Sequence, residues 1–119
     1  MWHRYKELGL FKPSMAWLFR ALAALSFNII IAIFSTKHFT ESWLSNGLLI
    51  GLILCQSGYL THDSMHRLVH PSTKVCYWIG WLTGNVLFGA NADWWRAEHD
   101  PHHAAPNAWD RVNEIIYDP

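Results

Sequence analysis

Two long apolar runs only seven residues apart constrain this chain more than any other feature of it. Ala16 to Ser35 reads AWLFRALAALSFNIIIAIFS, twenty residues with Arg20 as the only charge, and Trp43 to Leu60 reads WLSNGLLIGLILCQSGYL, eighteen residues with none. The hydrocarbon core of a bilayer takes about 20 helical residues to cross, so both runs are long enough to span it. Arg20 lies one turn inside the first run, where a long side chain snorkels to the surface. The short polar link TKHFTES makes the second helix return antiparallel to the first, as a membrane hairpin. A cleaved signal sequence would also follow Arg4, Lys6 and Lys12, but no small-x-small cleavage site follows Phe34 and the second run begins at once. Gly47 and Gly51 form a GxxxG on the second run, a pattern that lets helices approach closely.

The basic residues set the orientation. Arg4, Lys6, Lys12 and Arg20 precede or open the first span, the link carries only Lys37, and Arg67, Lys74, Arg96 and Arg111 follow the second. The positive-inside rule then puts both termini on the cytosolic side. Everything after Leu60 is expected to work at that face. A third apolar stretch, Val75 to Ala90, is broken by Gly80, Gly84, Asn85 and Gly89. Crossing would carry the basic segment after it to the wrong side. A helix in the membrane interface, with Tyr77, Trp78 and Trp81 at home there, is the expectation, and a re-entrant segment is the alternative.

Composition closes off other classes. The 119 residues leave room for one domain, and nine Lys and Arg balance nine Asp and Glu, so no bulk positive charge exists to hold nucleic acid. With 51% hydrophobic and 15% aromatic residues, the chain is not intrinsically disordered. Cys55 and Cys76 form no CxxC and read as reduced, buried thiols.

Six of the eight histidines follow the hairpin, five of them in two close sets. In THDSMHRLVHP, a helix continuing past the membrane surface puts His62 and His66 on one face, with His70 extending the row and Pro71 ending it. In HDPHH, His99, His102 and His103 stand at i, i+3 and i+4 and again share a face. Neutral imidazole ligates iron, zinc, copper and nickel. Five converging imidazoles exceed the shell of one zinc site, which points to a multi-metal centre or a share of one. Asp63 and Asp100 are placed to orient ligating rings, and His70 suits an interfacial or supporting role better than ligation. His3 and His38 read as solvated or headgroup contacts. Pro101 leaves two backbones open: an uninterrupted kinked helix, or a new helix capped by Asp100 with His99 just outside it.

From Gln56 to Asn107 the residues resemble the membrane fatty-acid desaturases, and within them the front-end group. The resemblance is carried by Tyr59-Leu60-Thr61 before the first box His62-Asp63-Ser64-Met65-His66, and by Trp94-Trp95-Arg96-Ala97-Glu98-His99-Asp100-Pro101-His102-His103 closed by Pro106-Asn107. Gly9-Leu10-Phe11-Lys12 also looks like that group's lead-in to the first span. The resemblance implies an all-α membrane protein: a two-span transmembrane hairpin, an interfacial helix and cytosolic histidine-box segments.

It further implies a non-haem di-iron enzyme that uses O2 and electrons from a cytochrome b5-type donor to desaturate an acyl chain, presented as membrane lipid or acyl-CoA. Carried over by position, His62, His66, His99, His102 and His103 are iron ligands, with Asp63, Asp100 and His70 behind them. Trp78, Trp81, Phe88, Trp94 and Trp95 are candidates to line the acyl slot, with interfacial anchoring and core packing as their ordinary alternatives. The family's third box, a further [Q/H]xxHH beyond a second pair of spans, does not follow His99-Asp100-Pro101-His102-His103 within the 119 residues. The expectation is therefore a single partial desaturase domain over 1–119 whose di-iron site is incomplete and inactive alone, to be completed by a C-terminal half or a full-length homologue. The endoplasmic reticulum is the expected membrane in a eukaryote. A histidine-box lipid hydroxylase, or a non-catalytic membrane protein binding haem or metal, are the alternatives.

Overall fold

The computed structural model describes residues 4, 7–9 and 12–104. Leu10 and Phe11 of the lead-in, Pro106-Asn107, His3, Lys6 and Arg111 lie outside the described residues. Among the described residues four α-helices follow in order: α1 (Met15–His38), α2 (Trp43–Met65), α3 (Thr73–Trp81), which runs on into a π-helical segment (Leu82–Phe88), and α4 (Ala92–Ala104). No strand occurs among the described residues.

Helix α1 starts where Ser14 caps it, its hydroxyl accepting from the Trp17 N–H at 3.2 Å. At 24 residues it is about 36 Å long, more than the hydrocarbon thickness it must match. Helices α1 and α2 are both long and apolar enough to cross a membrane. The link between them is shorter than the seven polar residues suggested, because helical geometry continues through Thr36, Lys37 and His38 and leaves only Phe39 to Ser42. Hydropathy reports where lipid ends, whereas the backbone ladder ends where hydrogen bonds run out. Thr36 keeps the ladder going by returning its hydroxyl to the Ala32 carbonyl at 2.8 Å.

Two polar rungs tie the hairpin. Asn28 Nδ2 donates to Gln56 Oε1 at 2.9 Å, and nearer the turn Ser35 Oγ donates to Asn46 Oδ1 while Asn46 Nδ2 donates to the Phe39 carbonyl at 3.0 Å. Rising position on α1 meets falling position on α2, which is the antiparallel arrangement expected. Such bonds are satisfied where lipid offers no partner. Leu18, Leu25 and Ala32, spaced by seven, form the buried stripe of α1. Phe19, Phe27, Ile30, Ile33, Leu44 and Leu48 remain exposed, an apolar surface too extensive for water and suited to acyl chains. Gly47 and Gly51 face open space, so the GxxxG is not the point of close approach.

Close approach occurs instead between α2 and the third stretch. A Cβ on Gly80 would lie 2.7 Å from Met65 Cε and 3.1 Å from Ser64 Cβ, and one on Gly84 would lie 2.9 Å from Thr61 Cγ2 and 3.0 Å from Ala92 Cβ. Buried Thr61 and Thr83 share a hydrogen bond at 2.8 Å across the same seam. The third stretch is thus packed along the C-terminal half of α2 and helical from Thr73 to Phe88, ending at Gly89 with φ 79°. Cys76 is buried, as expected, with Sγ donating to the His70 carbonyl. Cys55 is not buried: it sits on the exposed side of α2, since an apolar neighbourhood in a lipid-facing helix does not mean a protein interior.

Candidate metal centre

The first pair of histidines closes α2. His62 is in its last turn and His66 is its cap, where the chain makes a sharp left-handed exit at Arg67 (φ 60°). The Arg67 N–H bonds the Ser64 carbonyl and the Leu68 N–H bonds the Asp63 carbonyl, both at 2.9 Å, which together satisfy two terminal carbonyls in a Schellman arrangement. That exit removes His70 from the histidine row. Its ring lies back at the start of α3, with Nδ1 accepting from the Ser72 N–H at 2.9 Å, so the expected row of three is a row of two.

The second pair stands on α4, whose start is fixed by two asparagines. Asn91 Oδ1 accepts from the Asp93 and Trp94 N–H groups at 3.0 Å, and Asn85 Oδ1, from the π-helical segment, accepts from the Ala92 N–H at 2.9 Å. Sequence reasoning passed over both, although an Asn just before a helical run is an ordinary start signal. Helix α4 runs uninterrupted through Pro101, which decides between the two backbones left open and keeps His99 inside the helix.

Four imidazoles converge. His62, His66, His99 and His103 each present a ring nitrogen, and these four atoms lie within 4.8 Å of one another. His99 Nε2 and His103 Nε2 are 2.8 Å apart, and the rings of His66 and His103 are 4.8 Å apart between centroids. His66 Nε2 is buried in the middle with no hydrogen-bond partner among the described residues. A buried ring nitrogen with no partner is costly unless something else satisfies it, and a metal ion does so. His102 is exposed and outside the group, its ring 5.9 Å from that of His99 and 5.8 Å from that of His103.

The surroundings suit ligation. Asp63 Oδ1 accepts from His62 Nδ1 at 2.9 Å, which fixes that ring and leaves Nε2 free. Asp100 bonds the Arg96 Nε at 3.2 Å with one oxygen and holds the other 4.0 Å from His66 Nδ1. Trp95 stacks on His99 with centroids 4.2 Å apart and planes inclined by 23°. Burial pushes the His66 pKa below the ordinary imidazole value, and His62 and His103 push it further down against the pull of Asp100 and Asp63. His99 is lowered likewise, first by burial and then by His103, His62 and His66. Both rings are therefore held in the neutral, ligating form.

Beside the cluster lies an apolar groove of about 600 Å³, lined by Gly58, Tyr59, Thr61, His62, Phe88 and Trp95 among others. Gly58 makes room for the Phe88 ring, whose Cε2 would be 3.3 Å from a Cβ there. Of the aromatic residues expected at an acyl slot, Phe88 and Trp95 line this groove. Trp78 faces a different pocket, Trp81 packs edge-on against Trp78 at 6.0 Å, and Trp94 is exposed.

Comparison with known proteins places the sequence in a family. The profile of the fatty acid desaturase family matches residues 41–115. The chain is 31% identical over 118 residues to Delta(8)-fatty-acid desaturase 2 of Arabidopsis thaliana, covering 97% of this chain and 26% of that protein. It is 32% identical over 108 residues to the Delta(6)-fatty-acid desaturase fat-3 of Caenorhabditis elegans, covering 90% and 24%. It is 31% identical over 86 residues to an acyl-lipid (9-3)-desaturase of Physcomitrium patens, covering 72% and 16%. The chain thus spans about a quarter or less of the length of these relatives. No solved structure matches. With two membrane-length helices, a four-histidine cluster and matches of this extent, the chain belongs to the fatty acid desaturase family.

Proposed function

We propose that this chain supplies the membrane hairpin and two of the histidine boxes of a non-haem di-iron acyl desaturase. The observation that carries it is the convergence of His62, His66, His99 and His103, with the orphaned His66 Nε2 at its centre, on the edge of an apolar groove. His102, one turn from His99 and turned outward, is the fifth ligand, presented to a second ion. Further ligands for a two-iron shell come from another histidine-bearing segment, of the same polypeptide or of a homologue. When bound, the iron pair supplies the redox chemistry that removes two hydrogens from an acyl chain with O2 and electrons from a cytochrome b5-type donor.

The chain's own residues do the rest. Asp63 holds the His62 ring through Nδ1, and Trp95 holds the His99 plane by stacking. Phe88, Tyr59 and Thr61 form the wall along which an acyl chain of a membrane lipid or acyl-CoA lies, and Trp95 closes it off from water near the histidines. The histidine boxes face the cytosol, and in a eukaryotic cell the membrane is the endoplasmic reticulum. The test is metal loading of the purified chain in detergent: iron retained by wild type after dialysis and lost on His66→Ala supports the reading. A sharp haem absorption band, or equal iron retention by the variant, refutes it. Acyl desaturation by the 119-residue chain alone would refute the need for further ligands.

A further inference from the structure

A second, smaller cavity of about 250 Å³ lies at the C-terminal end of α2, against the start of α3. It is lined by Arg67, Lys74 and Arg96, with Ser64, Thr73, Tyr77, Trp78 and Met65 completing it, and no carboxylate is among its lining residues. Two acids bond lining residues from outside the cavity: Asp100 accepts from Arg96 Nε at 3.2 Å, and Asp93 accepts from the Tyr77 hydroxyl at 3.3 Å, so Arg67 and Lys74 are the cations of the lining without a carboxylate partner among the described residues. Arg96 keeps its remaining guanidinium donors. Thr73 and Lys74 open α3, whose cap Ser72 makes no side-chain bond to the helix, so the first N–H groups and the positive end of the helix dipole lie at the cavity. Independently, Ser64 is 1% exposed and its Oγ has no hydrogen-bond partner among the described residues. A buried hydroxyl without a partner, lining a cavity with three cations and a helix N-terminus, calls for an anion with several acceptor oxygens.

We infer that this cavity is a phosphate-binding site formed by Arg67, Lys74, Arg96, Ser64 and the start of α3. Arginine forks and a lysine charge match phosphate oxygens, and backbone N–H groups at a helix start do the same without a net charge. The site is built from residues adjoining the groove. His62 and Asp63 line the groove where Ser64 and Met65 line the cavity, and Trp95 lines the groove where Arg96 lines the cavity. A molecule with an apolar tail in the groove and a phosphate at its other end would engage both. That the phosphate belongs to the acyl carrier rests on the acyl-chain reading above. The affinity of the cavity for phosphate does not.

The metal-free 119-residue chain, purified in a neutral detergent, is incubated with dioleoyl phosphatidic acid or with dioleoylglycerol, and retained lipid is read by native mass spectrometry. The expected result is preferential retention of the phosphate-bearing lipid, reduced about tenfold or more by Arg67→Gly combined with Lys74→Gln and unchanged by Lys37→Gln at the far end of the hairpin. Competition by coenzyme A would identify a soluble phosphate-bearing carrier, and its failure to compete would identify a phospholipid headgroup. Either result upholds the site. Equal retention of both lipids, or an equal loss in the Lys37→Gln control, overturns it. Lys74 is exposed, so Lys74→Gln alone serves if the double variant does not fold, and no loss there also overturns the site. Because neither metal nor turnover enters the readout, a negative result leaves the desaturase reading standing, and loss of metal binding leaves the phosphate site standing.

Discussion

His99 and His103 stand one helical turn apart on α4 with their Nε2 atoms 2.8 Å from each other, a distance two neutral imidazoles reach only if one donates to the other. Both therefore direct the same ring nitrogen at one point. His103→Ala is expected to cut iron affinity at least about 100-fold, whereas Asp63→Asn, which alters only the support behind the His62 ring, is expected to cut it about 10–100-fold. Equilibrium dialysis with metal analysis separates the two.

The metal-free chain should lose stability on acidification. His66 and His99 have folded-state pKa values below the ordinary 6.5. The unfolded chain then binds more protons than the folded one once pH falls to that value, so stability is full above it and declines as pH falls below it. A thermal melt in detergent should show a falling midpoint below about pH 6.5, and His66→Gln should flatten that fall. A midpoint rising in that range would contradict the sign.

Gly84→Ala is expected to destabilise by about 1–3 kcal/mol, because the added methyl meets Thr61 Cγ2 at 2.9 Å and the Ala92 Cβ at 3.0 Å in a closed seam. Gly47→Ala, facing open space, should be neutral or slightly stabilising through helix propensity, by up to about 1 kcal/mol. Parallel melts of the two variants check the contrast.

Arg67→Gly should raise stability by about 0.5–1 kcal/mol, since φ 60° strains any residue with a Cβ and not glycine. The gain is read as a higher melting midpoint, opposite in sign to its loss of phosphate-bearing lipid.

Asn91→Ala should cost about 1 kcal/mol by removing the side-chain acceptor for two N–H groups at the start of α4. Hydrogen exchange should quicken at Asp93 and Trp94 first. Iron affinity should fall as well, since His99 and His103 ride on that helix.

The hairpin and the two histidine pairs were legible because they depend on local periodicity: a run of twenty apolar residues, and spacings of four within a helix. The partnership between the pairs was suggested only by their shared side of the membrane and by resemblance. What fixes it is the α3 and π-helical excursion, held by Gly80, Gly84 and the Thr61–Thr83 bond, a tertiary fit with no signature in one sequence. His70 was misplaced for a related reason. Nothing in Arg67 announces a left-handed exit, a position glycine usually fills. The aromatic residues sorted themselves by face, and Phe88 falls on the groove through a π-helical run that the ordinary period of 3.6 does not anticipate.

The four-histidine cluster joins two pieces of chain, with His66 and His99 standing 33 positions apart. An ion held there is a cross-link, and the loop it closes would otherwise lose on the order of 3 kcal/mol in closure entropy each time the chain folds. That loop is α3 and the π-helical segment, which carries Phe88 into the wall of the groove and Lys74 into the basic cavity. Were an ion bound there, its occupancy would therefore be thermodynamically linked to the shape of both cavities: stripping it would loosen the walls, and filling either cavity would tighten the hold on it.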